Sequence, residues 1–139
     1  MTDRNGSTPK LLSKGQLGWP MASPDGRSIL VMIDNKQELL TIGDDRPKEI
    51  PGVTAEDFLI AWSADPKYVF TQSPTPDGRK LEKLDLETGK REVWQIWKVK
   101  DPVGLLPSNS PVAITPDGSK MVFGHRQQFS TLYKTAMLK

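Results

Sequence analysis

The sequence predicts an all-β chain built from antiparallel four-stranded units. Three observations carry that prediction. The stretch Ser23–Met32 (SPDGRSILVM) recurs as Ser63–Gln72 (SADPKYVFTQ) and as Thr115–Gly124 (TPDGSKMVFG), and internal repetition constrains architecture before any single motif is weighed. Each copy is a tight turn followed by a short apolar run rich in β-branched or aromatic residues, a hairpin signal. Twelve prolines and eleven glycines are spread along the 139 residues, which divides the chain into many short elements rather than long helices.

The turn chemistry is explicit. In Ser23-Pro24-Asp25-Gly26 the proline presets φ, the aspartate carboxylate bonds nearby backbone N–H groups, and the glycine takes a left-handed conformation. Thr115-Pro116-Asp117-Gly118 repeats it. In the middle copy Pro66 stands where glycine is expected. Proline cannot reach φ > 0, so that turn needs a different geometry or length.

In chain order, Met1–Pro9 is a polar tail expected to be flexible, and Lys10–Ser13 is a lone short strand. The first unit spans about 19–50. It comprises Trp19–Ala22, Arg27–Ile33 and Gln37–Ile42, with Pro47–Ile50 as a weak fourth strand. The second unit, about 59–96, comprises Leu59–Trp62, Lys67–Gln72, Leu81–Leu86 and Arg91–Ile96. Ser73–Arg79 (SPTPDGR) reads as a loop within it, and Glu87-Thr88-Gly89-Lys90 as a hairpin turn. Alternation sets Leu84 and Leu86 on one face and Leu81, Lys83 and Asp85 on the other, which is expected to be wet. Trp97–Ser110, with Pro102, Gly104 and Pro107, reads as a long connection. The third unit, about 111–137, comprises Pro111–Ile114, Lys120–His125 and Thr131–Met137. The expected core includes Ile29, Val31, Ile60, Val69, Leu84, Val122 and Leu132.

One lone strand, two sets of four and a final three make three sets of four in a permuted register. Closed β-propellers protect their edges in this way, one blade being completed from both chain ends. Propellers close with about four to eight blades, so three blades make a partial ring. The chain is then a fragment, or two copies pair as a homodimer that completes six blades.

Composition bounds the function. Charged residues make up 26% and the formal net charge is +2, with acids and bases interleaved. That balance is too mild to call for nucleic acid. There is no cysteine, so neither a disulfide framework nor a thiolate metal site is available. No apolar run approaches the length that spans a membrane, and MTDRNGSTPK lacks the apolar stretch of a signal peptide. If the chain is complete it is expected to stay in the cytoplasm; if it is a fragment of a membrane-anchored protein, no compartment follows.

The repeats resemble TolB-like, WD-repeat-like propeller blades, whose signature is an apolar or Trp-containing strand, Ser/Thr-Pro-Asp-Gly-Lys/Arg, then an apolar strand. Ile114-Thr115-Pro116-Asp117-Gly118 carries it well, and Trp62-Ser63-Ala64-Asp65 in part. The order Asp85–Trp94, Asp101-Pro102-Val103-Gly104 and Thr115–Gly118 is similar to the end of the propeller appended to bacterial eukaryotic-like Ser/Thr protein kinases. Comparable propellers follow winged-helix domains in some bacterial regulators. Arg126, Ser130, Leu132 and Tyr133 match that family's closing segment, whereas His125, Gln127 and Phe129 depart from it. The resemblance spans about Leu11 to Leu138. It implies a non-catalytic sensor or interaction module of a signalling protein, without cofactor, that binds a protein or peptide.

Candidate chemistry is sparse. His125 is the only histidine and has no evident co-ligands. A Ser63–His125–Asp65 triad can be drawn, but no Gly-x-Ser-x-Gly elbow supports it. Asp25, Asp65, Asp77 and Asp117 recur as turn formers rather than as a cation site. Gly89-Lys90 lacks the rest of a phosphate loop. Of Trp19, Trp62, Trp94 and Trp97, Trp62 is expected in the core and Trp97 on the surface. The expected binding residues are Trp97, Lys98 and Lys100 in the long connection, with His125 and Arg126 in the closing segment; Ser73–Arg79 is the second expected rim loop. The rival class is the propeller portion of a prolyl-oligopeptidase-like hydrolase, whose catalytic domain this sequence does not contain.

Overall fold

The computed structural model describes residues 17–44, 46–101, 103–104, 106, 112–124 and 126–132. Within them the chain is all-β, with ten strands and no helix. The first sheet contains β1 (Leu17–Ala22), β2 (Ser28–Ile33), β3 (Lys36–Thr41) and β4 (Lys48–Glu49), hydrogen-bonded in that order. The second contains β5 (Phe58–Trp62), β6 (Tyr68–Thr75), β7 (Gly78–Asp85) and β8 (Arg91–Lys98), again in chain order. The third has two strands, β9 (Val112–Ile114) and β10 (Met121–Phe123). Every ladder is antiparallel, and no sheet among the described residues closes on itself.

The three repeated turns share one length. Ser23 N–H donates to Ser28 O at 2.8 Å, Ser63 N–H to Tyr68 O at 3.0 Å and Thr115 N–H to Lys120 O at 2.9 Å. Gly26 and Gly118, at φ 69° and 73°, close the inner bond of the first and third copies. In the second copy residue 66 has no N–H to give, and Tyr68 N–H donates to Asp65 O at 3.1 Å instead. The proline therefore changes the geometry of the turn and leaves its length intact. The turn between β2 and β3 has both central residues, Asp34 and Asn35, at positive φ, the two-residue type that matches strand twist.

Two apolar layers separate the sheets. Leu30, Ile50, Trp62, Val69 and Leu84 form the layer between the first and second sheets, with Met21, Leu39 and Leu59 packed on it. Phe70, Leu81, Trp97 and Ile114, with Ile60, Val99 and Met121, form the layer between the second and third. Trp62 also donates from Nε1 to Met21 O at 2.9 Å, which ties β5 to β1. Strand β8 is mostly exposed apart from Trp97, whereas strands β6 and β7 of the second sheet are thus covered on both faces. For that reason the face of β7 expected to be wet is dry: Leu81 and Asp85 are buried.

Other expectations are corrected. Ser73–Arg79 is not a loop: β6 and β7 run through it, and only Pro76 and Asp77 lie outside the Thr75–Gly78 pair. Pro74 fits because β5 reaches only to Gln72, so β6 is an edge there. Strand β8 extends through Lys98, so Trp97 belongs to the sheet rather than to a connection. Val31, Val69 and Leu84 are core, and Ile29 and Ile60 are half-buried. Val122 and Leu132, however, are 73% and 96% exposed; Val122 lies in a sheet with two strands among the described residues. Thr131 and Leu132 are not in a strand. The Lys10–Ser13 strand, the 1–9 tail, His125 and the segment 133–137 lie outside the described residues. No helix among the described residues is long and apolar enough to cross a membrane.

Candidate functional site

The face of the second sheet that looks toward the third carries two of the three buried, unpaired side-chain polar atoms among the described residues, Gln72 Oε1 and Trp97 Nε1, the other being Thr75 Oγ1. Register sets it: Gln72 pairs with Leu81 on β6 and β7, and Arg79 pairs with Trp97 on β7 and β8. Directly opposed residues share a face. Gln72, Arg79, Leu81 and Trp97 therefore line one surface, with Phe70 two residues before Gln72.

Trp97 is 8% exposed and stacks on Phe123 of β10, ring centroids 4.2 Å apart at 22°. This corrects the expectation of an exposed Trp97. The surface reading followed from placing it in a connection; within β8 its indole turns inward to the third sheet. The burial leaves polar atoms behind. Trp97 Nε1 and Gln72 Oε1 are buried without a hydrogen-bond partner. Arg79 is 7% exposed and has neither a carboxylate nor a hydrogen-bond acceptor for its guanidinium among the described residues. Burial alone pulls the Arg79 pKa down.

The opposite face shows what a satisfied arginine looks like in this sheet. Arg91 Nη1 and Nη2 donate to the Asp57 carboxylate at 2.9 and 2.6 Å, Nη1 to Glu82 at 3.0 Å, and Nη2 to Gly52 O at 2.6 Å. Asp57 also accepts from Thr54 N–H at 2.7 Å and Thr54 Oγ1 at 2.8 Å. Burial pushes the Asp57 carboxyl up, but the Arg91 and Thr54 donors outweigh it and the net shift is down. The bond to Asp57 raises Arg91 in turn. Gln37 Nε2 donates to Asp57 O, and Gln37 Oε1 accepts from Leu59 N–H at 3.1 Å. This network joins β3, β7, β8 and the segment before β5; it is structural.

A bulge opposite Leu81 and Glu82 adds one residue to β8. It turns Trp94 onto Phe70, edge to face at 5.6 Å, and lets its Nε1 donate to Gly118 O at 3.2 Å. Lys98 Nζ lies 2.8 Å from Asp77, whose carboxyl it holds below the usual range. Lys100 is exposed beyond the end of β8. Arg126 O accepts from Leu106 N–H at 2.9 Å, Gln128 N–H donates to Gly104 O at 2.8 Å, and Gln127 Nε2 donates to Asp101 O and Val103 O. These bonds bring the chain after β8 and the chain after β10 to one end of the molecule. Trp97 and Lys98 lie at the end of β8 with Lys100 just beyond it, and Arg126 is tied by its backbone to Leu106; His125 lies outside the described residues.

The recurring aspartates hold turns. Asp25 accepts from Ser23 Oγ at 2.6 Å and Arg27 N–H at 3.0 Å, and Asp65 from Lys67 N–H at 3.0 Å. Asp117 accepts from Thr115 Oγ1 and from Ser119 N–H, which bring its pKa down to about 2. Among the described residues no group of His, Cys, Asp and Glu is placed to hold a metal ion.

Arg79 and Gln72 were missed as site residues. The signal for Arg79 was the alternation Arg79–Leu81, concealed by reading Ser73–Arg79 as a loop. Gln72 had no signal of its own. Comparison with known family models, curated proteins and solved structures returns no significant match.

Proposed function

We propose that this chain is a non-catalytic protein- or peptide-binding module made of propeller-type blades, and that it receives an extended peptide along β10. In this reading it serves as an interaction element of a signalling protein, as the propellers its repeats resemble do, and two copies complete a six-bladed ring. The observation that carries the peptide reading is the edge of β10 that no described strand covers. That strand pairs only with β9 among the described residues, and Val122 and Phe123 remain exposed. An unpaired edge presents a row of N–H and C=O groups that an added strand satisfies. Thr115 and Lys120 form a hydrogen-bonded pair, so by alternation the N–H groups of Met121 and Phe123 point away from β9.

The placement of the edge favours a specific site over a generic one. Strand β9 packs on β5, so a strand added outside β10 would lie over the outer part of the second sheet, near Arg79 and Trp97. The test is titration of the protein with the acetylated, amidated peptide VQVQV, followed by amide NMR shifts and calorimetry. Binding should shift the Met121 and Phe123 amides, and N-methylation of alternate peptide residues should abolish it. Equal binding of the methylated peptide, or none by either, overturns strand addition.

A further inference from the structure

We propose, resting on the strand-addition reading above, that the received segment carries an acidic side chain whose carboxylate is bound by Arg79, with Trp97 Nε1 as a second donor. The reasoning starts from what the buried face lacks. A guanidinium offers five N–H donors in a fixed fork and no acceptor, and its geometry matches a carboxylate bidentately. Arg91 obtains that match from Asp57 within the chain. Arg79, one strand away and on the other face, obtains none among the described residues. Arg79 is buried over most of its surface, while its nitrogens are not among the fully buried unpaired atoms, so a poorly hydrated cation stays within reach of a carboxylate. Trp97 Nε1 can only donate, and it too is buried without an acceptor. Two donor groups side by side on β7 and β8, one of them cationic, specify an anionic acceptor. Gln72 Oε1, also buried and unpaired, is an acceptor suited to an N–H of the same segment.

Position and charge agree with this partner. Met121 packs toward the second sheet and Phe123 stacks on Trp97, whereas Val122 between them is exposed. A strand beside β10 follows the same alternation, so every second side chain would point at the Arg79–Trp97 face. Phe123, 43% exposed, forms the rim past which that side chain enters. Lys100, exposed beyond β8, adds positive charge at the same end and favours approach of an acidic segment.

The experiment compares the acetylated, amidated peptides VEVEV and VQVQV by calorimetry on the whole chain. VEVEV should bind at least about tenfold more tightly, a free-energy difference of about 1.4 kcal/mol. The advantage should fade below about pH 4, where the peptide glutamates protonate. It should vanish in Arg79→Met and survive in part in Arg79→Lys. Equal binding of the two peptides overturns the carboxylate inference and leaves strand addition standing; binding of neither overturns strand addition itself. A second copy of the chain on the β10 edge, seen as peptide binding that falls as protein concentration rises, overturns the inference as well. Should Arg79→Met fail to fold, the pH profile of the wild-type preference still decides.

Discussion

Arg79 and Arg91 lie on opposite faces of one sheet and show how the same side chain is made structural or left available. Arg91 has acceptors for both terminal nitrogens, and two of them are carboxylates from different parts of the chain. Removing it leaves the buried Asp57 carboxylate without a cation beside buried Glu82, which keeps only Lys80 at 3.1 Å. Arg91→Met should therefore destabilise the fold by about 3 kcal/mol, the low end for a broken buried pair because Arg91 is partly exposed. Asp57→Asn should cost less, since Glu82 still accepts from Arg91. Chemical denaturation checks both, and equal stability of Arg91→Met and wild type sinks the assignment. The Asp57 pKa is depressed in the folded state, so its contribution is present above the ordinary value near about 4 and is lost as pH falls through the folded value. Stability of Asp57→Asn should thus decline less steeply with acidification below about pH 4 than that of wild type. The sequence made neither arginine conspicuous. Their roles depend on which residue lies across the strand, and pairing register is not written in a single sequence.

The elements were more legible than the residues, because their chemistry is local. Pro-Asp-Gly set the first and third turns correctly, and the middle turn kept its length although Pro66 moved its inner bond. The same three letters misled at Pro76-Asp77-Gly78, where a tight hairpin lies inside two long strands. Local turn chemistry there gave no measure of how far the flanking strands continue. Tertiary cover favours long pairing in β6 and β7, whose central residues are buried on both faces, whereas β8 is held by its ladder to β7 and is exposed along most of its length apart from Trp97. The β9–β10 turn provides a test at this scale. Gly26 and Gly118 have nearly the same positive φ. A Cβ on Gly26 meets nothing within 4 Å, whereas one on Gly118 runs into the Trp94 indole. Gly26→Ala should cost about 1 kcal/mol of backbone strain. Gly118→Ala should add a further 1–2 kcal/mol, roughly, from overpacking, and should lower the near-ultraviolet circular dichroism of Trp94. Equal costs at the two positions would show that the third sheet is not docked through this turn.

At the scale of the whole molecule, three stacked sheets leave two outer faces. On the first sheet Ile29, Val31 and Leu40 point away from the second sheet, because Leu30 and Leu39 point toward it, yet Val31 and Leu40 are already buried within the single chain. On the third, Val122 points away and is largely exposed. Counting three repeated units was possible from the sequence; how the stack ends was not, because its ends depend on what packs beyond the third unit. If the units are blades, two chains arranged head to tail bring the exposed Val122 face of each copy against the first sheet of the other, and the twofold operation closes the ring at six, provided that what buries Val31 and Leu40 in the single chain gives way. This uses sheet faces and leaves the edge of β10 free for a peptide, so the two proposals are compatible. The expected mass by light scattering is twice the 15.5 kDa of one chain. Val122→Lys puts a charge on the covered face of each copy and so acts at both interfaces, weakening association by at least about a hundredfold if each loses about 1.4 kcal/mol. It should leave VQVQV binding intact, because Val122 would not face the added strand's contacts on the second sheet. A folded wild-type protein that keeps the single-chain mass at high micromolar concentration would remove the dimer and leave a three-unit stack whose outer faces are covered in some other way.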